Sequence, residues 1–202
     1  MLLDLARRIV ALDPPALVGV DGPDGAGKTT FADALGAAVT DEGGDVVRAS
    51  LDDFHHRRDH RHADGRTPET VWSRHFDHEA LLRALLAPWR AGPGAEYTRR
   101  WHDVATDQPV SGLREVVPDG AVLLVDGLFL HRDELRREWD LTFYLDVPDD
   151  VAIGRVAARD GPLDDPARYV GAQQLYRELC SPRDRADVVV DNTDPQAPVI
   201  MV

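Results

Sequence analysis

Cysteine is almost absent from the sequence, which contains only Cys180. A single cysteine excludes an internal disulfide bond and is typical of a protein of the reducing cytoplasm, where we expect this one to act. Long apolar runs are absent as well. No stretch of about 18 apolar residues occurs, and a transmembrane helix needs roughly that length. The sequence therefore predicts no membrane span.

Basic residues are few relative to acidic ones. The 202 residues include 23 Lys and Arg against 36 Asp and Glu, giving a formal charge of −13 at pH 7. A nucleic-acid-binding surface needs a basic face, so this balance argues against a nucleic-acid partner. It does not exclude a small anionic substrate in a local basic pocket. Residues 1–12 lack the basic start and cleavage site of a signal peptide, and they predict an amphipathic helix.

Five apolar runs alternate with helix-like segments along the chain. The runs cover residues 16–22, 45–51, 121–127, 141–147 and 186–192. Continuous β-branched runs are typical of strands that are buried on both faces of a parallel sheet. Helices are predicted at residues 28–39, 78–89, 132–139, 149–160 and 166–179. The alternation predicts an α/β fold with a doubly wound parallel sheet of about five strands, in a single domain over residues 1–202.

Two polar segments, at about residues 52–78 and 88–118, interrupt this alternation and are rich in Gly, Pro, His and Arg. We expect them to be insertions over the carboxyl edge of the sheet, where doubly wound folds bind their ligands. The segment 55–62 contains four histidines, but its spacing matches no recognised zinc site. A solvated loop over the ligand site is the favoured interpretation of that segment.

The stretch GPDGAGKTT, residues 22–30, matches the P-loop template and predicts a P-loop nucleoside triphosphate hydrolase fold. Its glycines allow the backbone to approach phosphate, and its N–H groups can line an anion site at a helix start. Lys28 is the only lysine of the chain, and an ammonium fits between phosphate oxygens where a planar guanidinium does not. We expect Lys28 to contact the β- and γ-phosphates of ATP, and Thr29 to bind Mg²⁺. The predicted nucleotide-binding residues are Gly22, Asp24, Gly25, Ala26, Gly27, Lys28, Thr29 and Thr30.

Carboxylates follow two of the predicted strands. Asp52 and Asp53 follow the second strand, and a carboxylate there can accept the proton of a hydroxyl that attacks the γ-phosphate. One of the pair could instead cap a helix or hold a turn. Asp126 ends the third strand, which is the Walker B arrangement for coordinating Mg²⁺. The alternative for Asp126 is a turn residue before a glycine.

These motifs together resemble those of the uridine kinase and phosphoribulokinase group of P-loop kinases, over residues 16–193. In SLDDF (50–54), the resemblance implies that Asp52 is the catalytic base and Phe54 its companion in the substrate site. FDHEAL (76–81) resembles a segment whose aspartate contacts ribose hydroxyls, which implies that role for Asp77. EYTRRWH (96–102) keeps the spacing of a tyrosine and a histidine that contact a pyrimidine, here Tyr97 and His102, although the residues between them differ.

The later segments extend the resemblance. VDGLF (125–129) has Asp126 where the family has glutamate. Residues 147–160 resemble the lid helix, within a lid region of about 149–168, and imply that Arg155 and Arg159 clamp phosphates. These two arginines are four residues apart and so share a helical face. Ala152 stands where the family has a further arginine, and a solvated basic face is the alternative role. The loop after residues 186–192 is implied to pack near the adenine.

The function predicted from these residues is an ATP- and Mg²⁺-dependent phosphotransferase with an alcohol acceptor, most simply uridine or cytidine. A pantothenate-like alcohol or a sugar phosphate is the alternative acceptor, and Arg57, Arg99 and Arg100 either favour such an anionic acceptor or are surface residues. A nucleotide-dependent switch or ATPase acting on a protein partner is the rival class. The sequence leaves open the preference for ATP over GTP and the oligomeric state, a homo-oligomer included.

Overall fold

The central element is a six-stranded sheet. The computed structural model describes residues 1–161 and 165–201. The strands of this sheet are β1 (Ala16–Asp21), β2 (Asp45–Ser50), β7 (Ala121–Asp126), β8 (Leu141–Asp146), β9 (Val188–Asp191) and β10 (Val199–Ile200), and their spatial order is β10-β9-β8-β1-β7-β2. The first five are parallel and confirm the five predicted strands. The antiparallel β10, which pairs with β9, was not predicted.

The helices cover both faces of the sheet and confirm a doubly wound α/β fold. They are α1 (Leu2–Val10), α2 (Lys28–Asp41), α3 (Arg58–His62), α4 (Pro68–Arg74), α5 (His78–Leu81), α6 (Ala87–Ala91), α7 (Asp149–Asp160), α8 (Pro166–Cys180) and α9 (Pro182–Arg185). A π-helical segment, Leu82–Leu86, joins α5 to α6. One core packs α1, α2 and α7 on the sheet, and the other packs α4 to α6 and α8 on its opposite face.

Local sequence explains where two of these helices begin. Thr67 and Thr70 exchange side-chain hydrogen bonds with each other's backbone N–H groups in a capping box at the start of α4. The carboxylate of Asp165 accepts a hydrogen bond from the backbone of Arg168, and Pro166 takes the first position of α8. Part of the predicted lid region lies in α7, whereas residues 162–164 lie outside the described residues.

The helix predicted at residues 132–139 is wrong, because that segment forms consecutive turns. Leu135 is its one buried apolar residue, so a helix there would have too small an apolar face to pack. Arg132 also holds this segment against the fold, because its guanidinium lies 3.8 Å from the ring centroid of Trp72.

The two predicted insertions lie beside the carboxyl edge of the sheet. Residues 51–54 form a 3₁₀ turn directly after β2. The second insertion contains two small antiparallel sheets, formed by β3 (Glu96–Tyr97) with β6 (Glu115–Val116) and by β4 (His102–Asp103) with β5 (Gln108–Pro109). The backbone of Trp101 donates a hydrogen bond to the carbonyl of Asp53 (3.0 Å). The second insertion is therefore fixed to the turn that carries Asp52.

None of the helices within the described ranges is long and apolar enough to cross a membrane.

Candidate functional site

The P-loop connects the end of β1 to the start of α2. Gly25 has φ of 81° and Gly27 has φ of 83°, in the left-handed region that favours glycine. A Cβ on Gly25 would lie 2.2 Å from the carbonyl oxygen of Ala152, so α7 packs directly on the loop. Lys28 Nζ donates a hydrogen bond to the carbonyl of Pro23 (2.8 Å), which holds the ammonium over the loop.

The loop residues face a cleft of about 580 Å³. Six of the predicted nucleotide-binding residues line it, namely Asp24, Gly25, Gly27, Lys28, Thr29 and Thr30. The other two, Gly22 and Ala26, do not line the cleft and instead hold the loop in place. Gly22 donates its backbone N–H to Asp21 Oδ1 (2.7 Å), and Ala26 is fully buried. Asn192 Nδ2 donates a hydrogen bond to the carbonyl of Ala26 (2.6 Å), which ties the end of β9 to the loop.

Thr29 and Asp126 meet in this cleft, because β1 and β7 are neighbouring strands. The hydroxyl of Thr29 donates a hydrogen bond to Asp126 Oδ2 (2.7 Å). Hydroxyl and carboxylate oxygens are the ligands that Mg²⁺ prefers, so this pair fits the predicted metal. Arg48 Nη2 occupies the other oxygen, Asp126 Oδ1, at 2.7 Å. Sequence reasoning missed Arg48, because no local signal links it to a residue 78 positions away.

The structure distinguishes Asp52 from Asp53. Ser50 Oγ accepts a hydrogen bond from the backbone N–H of Asp52 (3.3 Å), and the exposed Asp52 side chain lines the cleft with the P-loop. Asp53 accepts a hydrogen bond from Arg100 Nε (3.0 Å). Burial raises the pKa of Asp53, although Arg100 opposes the shift. Asp52 is therefore the carboxylate of the pair that lines the cleft beside the P-loop.

A second cavity of about 360 Å³ adjoins the cleft, and His55 borders both. Asp77 and His102 line this cavity together. Asp77 also caps α5, since its Oδ1 accepts a hydrogen bond from the backbone of Ala80 (2.8 Å). His102 is only 3 % exposed, and its Nε2 lies 3.3 Å from Asp107 Oδ1. The structure thus brings Asp77 and His102 into one site beside Asp52.

Two predicted substrate residues lie elsewhere. Phe54 is fully buried in the core, so its role is packing rather than contact with a substrate. Tyr97 is buried against Trp89 and its hydroxyl donates a hydrogen bond to Glu115 Oε2 (3.1 Å). Burial, assisted by Glu115, raises the pKa of Tyr97 to about 12. Tyr97 and His102 belong to different two-stranded sheets and do not line the same cavity, so their shared pyrimidine contact is not supported.

The two lid arginines also differ. Arg159 lines the cleft, with Nη2 3.6 Å from Asp24 Oδ1, and its hydrogen bonds to Asp160 raise its pKa. Arg155 donates hydrogen bonds to the carbonyls of Gly25 (3.3 Å), Asn192 (3.0 Å) and Thr193 (2.8 Å). This Arg155 latch joins the P-loop to the loop after β9. Because these bonds hold Arg155 at backbone carbonyls, they favour a structural role over the predicted phosphate contact.

A buried polar cluster beneath the P-loop was not predicted. Asp21 is fully buried, and its Oδ2 lies 2.8 Å from His131 Nδ1. The hydroxyl of Tyr176 also donates a hydrogen bond to Asp21 Oδ2, and accepts one from the backbone N–H of His131 (2.9 Å). Burial and the adjacent Asp21 carboxylate raise the pKa of Tyr176 well above its ordinary value. The cluster fixes the carboxylate that holds Gly22.

The three arginines that the sequence offered as contacts of an anionic acceptor lie in two places, in surface ion pairs and at the second cavity. Arg99 Nε lies 2.7 Å from Glu115 Oε1, and Arg100 pairs with Asp53, so both have carboxylate partners. Arg57 lines the second cavity. Within residues 1–161 and 165–201, the histidine-rich segment forms no metal-binding group of three or more His, Cys, Asp or Glu residues.

Solved structures of kinases resemble this chain. A possible uridine kinase from Bacillus stearothermophilus is 28% identical, with 93% of this chain and 96% of that chain covered and a TM-score of 0.75. A fructose transport system kinase candidate from Silicibacter sp. TM1040 is 27% identical, with 92% and 95% covered and a TM-score of 0.69. D-glycerate 3-kinase from Cryptococcus neoformans var. grubii shares the fold, at 14% identity, 99% and 96% coverage and a TM-score of 0.59. No protein-family model matches the chain, and no curated protein sequence matches it.

Proposed function

Since the chain resembles P-loop kinases of the uridine kinase group in sequence motifs and in structure, we propose that it transfers the γ-phosphate of ATP to a hydroxyl of a small metabolite. One observation carries the proposal. Asp52 lines the same cleft as Lys28 and Thr29, so a base and a phosphate cradle share one site. The lone cysteine supports action in the reducing cytoplasm.

The proposed mechanism depends on positioning and charge. The backbone N–H groups of the loop and the Lys28 ammonium hold the β- and γ-phosphates. Thr29 and Asp126 would hold Mg²⁺, which would supply neutralisation of the phosphate charge. Asp52 accepts the proton of the attacking hydroxyl, and Arg159 approaches the transferring phosphoryl group from α7.

A nucleoside such as uridine or cytidine is the first acceptor to test. The shared cavity of Asp77 and His102 supports it, because one residue type suits ribose hydroxyls and the other a base. The separate position of Tyr97 weakens it, which keeps a pantothenate-like alcohol or a sugar phosphate as the alternative acceptor. A switch or ATPase acting on a protein would have no use for a cavity next to Asp52.

The test is a coupled assay of ADP release from Mg²⁺-ATP with uridine, cytidine, sugar phosphates and pantothenate-like alcohols. Acceptor-dependent turnover that is lost in Asp52→Asn would support the proposal. ATP binding without any acceptor dependence would favour the switch or ATPase class instead.

A further inference from the structure

The cleft continues past Asp52 to a wall that no part of the proposed nucleotide site uses. Arg61, His75 and Tyr169 lie on this wall, together with His55. His55 Nδ1 lies 2.6 Å from the carbonyl of Asp52, and Asp52 lines the same cleft as the P-loop, so a molecule that contacts the wall can present its other end to the γ-phosphate. The acidic lining residues of the cleft other than Asp52 are Asp24, Asp126 and Asp160. These belong to the P-loop, to β7 and to α7, and the wall itself is basic and aromatic.

Arg61 is a partly buried cation on this wall. Among the described residues no carboxylate lies within ion-pair distance of its guanidinium, and its buried Nε has no hydrogen-bond partner. Burial lowers the pKa of Arg61. Asp107 is the acid that acts on it through space, but Asp107 Oδ1 already accepts the backbone N–H of Arg58 (2.8 Å) and faces His102. A partly desolvated cation without a partner is costly, and an anionic ligand would remove that cost.

His75 supplies an unpartnered polar group on the same wall. It is 6 % exposed, and its Nδ1 has no hydrogen-bond partner among the described residues. Its ring packs among those of His55, Phe76 and Tyr169, with centroids 5.4, 5.6 and 6.0 Å away. Burial lowers the pKa of His75 to about 3, so the ring is neutral at pH 7. A neutral imidazole can still donate one hydrogen bond to an anion.

Three other arginines near the site contrast with Arg61. Arg99, Arg100 and Arg74 pair with Glu115, Asp53 and Asp64 respectively. Arg57 faces the second cavity rather than the cleft. Arg168 also lacks a described carboxylate partner, but its guanidinium stacks on Tyr169 at 4.6 Å from the ring centroid and does not line the cleft. Arg61 is therefore the arginine that combines a place on the wall with the lack of a described acidic partner.

We propose that the phosphate acceptor carries an anionic group, a carboxylate or a phosphate, which Arg61 and His75 bind while its hydroxyl lies at Asp52. This inference rests on the proposed kinase function and names its substrate class. In the reaction, a bond forms between the acceptor oxygen and the γ-phosphorus of ATP. The bond from that phosphorus to the bridging oxygen breaks, ADP leaves with the bonding electrons, and the hydroxyl proton passes to Asp52.

The experiment compares matched acceptors in the ADP-release assay with Mg²⁺-ATP. The pairs are glycerate with glycerol and ribose 5-phosphate with ribose, with uridine and cytidine as further neutral acceptors. The carboxylate and phosphate pairs separate the two anion types. We expect turnover to favour an anionic member of a pair at least tenfold. Hydrogen bonds to charged groups are each worth a factor of roughly 10 to 100 in binding.

Variants locate the anion. Arg61→Gln should raise the KM for the anionic acceptor about tenfold or more, with kcat and the KM for ATP little changed. Arg61→Lys should recover part of the loss, because it restores the charge. Arg58→Gln is the matched control, since Arg58 lies on the same helix outside the cavities described and should behave like the wild type. Equal use of neutral and anionic acceptors, or equal effects of the two Gln variants, would overturn the proposal.

A binding measurement separates this inference from the kinase proposal. Glycerate and ribose 5-phosphate are titrated calorimetrically into the protein with Mg²⁺-ADP present. Binding that Arg61→Gln weakens, in a protein that turns over no acceptor, would support the anion site while contradicting the kinase function. Anion binding that depends on Arg57 instead would overturn the placement on this wall.

Discussion

Thr29 Oγ1 lies 2.7 Å from Asp126 Oδ2, although 97 positions separate the two residues in the chain. The contact exists because β1 and β7 are paired in parallel, with Val20 opposite Asp126. Arg48 on the adjacent β2 holds the second carboxylate oxygen. Three neighbouring strands or their following loops therefore fix the proposed metal ligands before any ligand arrives.

Replacing Asp126 with Asn should weaken Mg²⁺ activation. An amide cannot accept hydrogen bonds from Thr29 and Arg48 at both positions, and it has no charge for the metal. We expect the Mg²⁺ concentration for half-maximal ADP release to rise about 10- to 100-fold, the usual cost of disturbing a metal site. Asp146→Asn is the control, because Asp146 ends the nearby β8 but pairs with Arg183 outside the cleft. An unchanged Mg²⁺ titration in Asp126→Asn would contradict the metal assignment.

Asp52→Asn should retain ATP binding and lose at least about two orders of magnitude in kcat, on the scale of general-base catalysis. Fluorescent-nucleotide binding and acceptor-dependent ADP release measure the two effects separately. Asp53→Asn provides the comparison, since Asp53 pairs with Arg100 and should affect kcat much less. Similar losses in the two variants would remove the assignment of Asp52 as the base.

The two arginines of the predicted lid, Arg155 and Arg159, should give different kinetic effects. Arg155→Met breaks hydrogen bonds to three backbone carbonyls and loosens the nucleotide side, so the KM for ATP should rise about tenfold or more with a smaller change in kcat. Arg159→Met removes a cation from the cleft and should lower kcat. Steady-state kinetics against ATP tests both. A kcat defect in Arg155→Met with an unchanged KM would return Arg155 to the catalytic group.

Acid should destabilise the fold through His75. Burial lowers the pKa of His75 to about 3, whereas an unfolded histidine titrates near 6.5. Between these values the unfolded chain binds a proton that the folded one does not, so the free energy of unfolding falls as the pH drops below about 6.5. When the pH is lowered from 6.5 to 5, we expect the free energy of unfolding to fall by about 2 kcal/mol less in His75→Phe than in the wild type. Denaturant titration at the two pH values measures this difference.

Two comparisons isolate that effect. His78, whose pKa burial lowers to about 4, remains in both proteins and therefore cancels in the difference. His60→Gln changes an exposed histidine and should follow the wild-type pH profile. Parallel pH profiles for the wild type and His75→Phe would show that His75 does not titrate in this range upon unfolding.

Phe54→Ala should reduce stability rather than acceptor binding. The side chain is fully buried, and truncation of a buried phenylalanine costs about 3–5 kcal/mol. Chemical denaturation measures the loss, and Phe54→Leu should recover much of it by filling the space. The KM for the acceptor, measured well below the unfolding temperature, should stay close to that of the wild type in Phe54→Leu. A large KM effect at unchanged stability would restore a substrate contact.

The sequence predicted the five parallel strands because each lies in a short run rich in apolar and β-branched residues, although Arg48 interrupts the run of β2. The P-loop was equally predictable, because its residues are consecutive in the chain. The strand Val199–Ile200 carries no comparable signal in its two residues. The helix wrongly predicted at 132–139 shows where prediction from the residue pattern fails. A segment with charges of both signs is typical of an exposed helix, but the pattern does not show whether the helix would have enough apolar surface to pack on the core.

The site was less predictable where its parts come from distant segments. Arg48 and Asp126 meet only through strand pairing, and Asp21, His131 and Tyr176 meet only through packing of three elements. The spacing of Tyr97 and His102 failed for another reason. Five residues of chain can cross from one small sheet to the next, so a matching spacing does not keep two side chains on a common surface.

The central position of β1, paired with β7 on one side and β8 on the other, determines how rarely the strand that leads into the P-loop opens in solution. Opening of such a sheet begins at its margins, where strands have a single partner. The amides of Ala16–Asp21 should consequently be among the last to take up deuterium from heavy water. The P-loop follows directly from this inner strand, so we expect its shape to persist through fluctuations that expose the two outer strands.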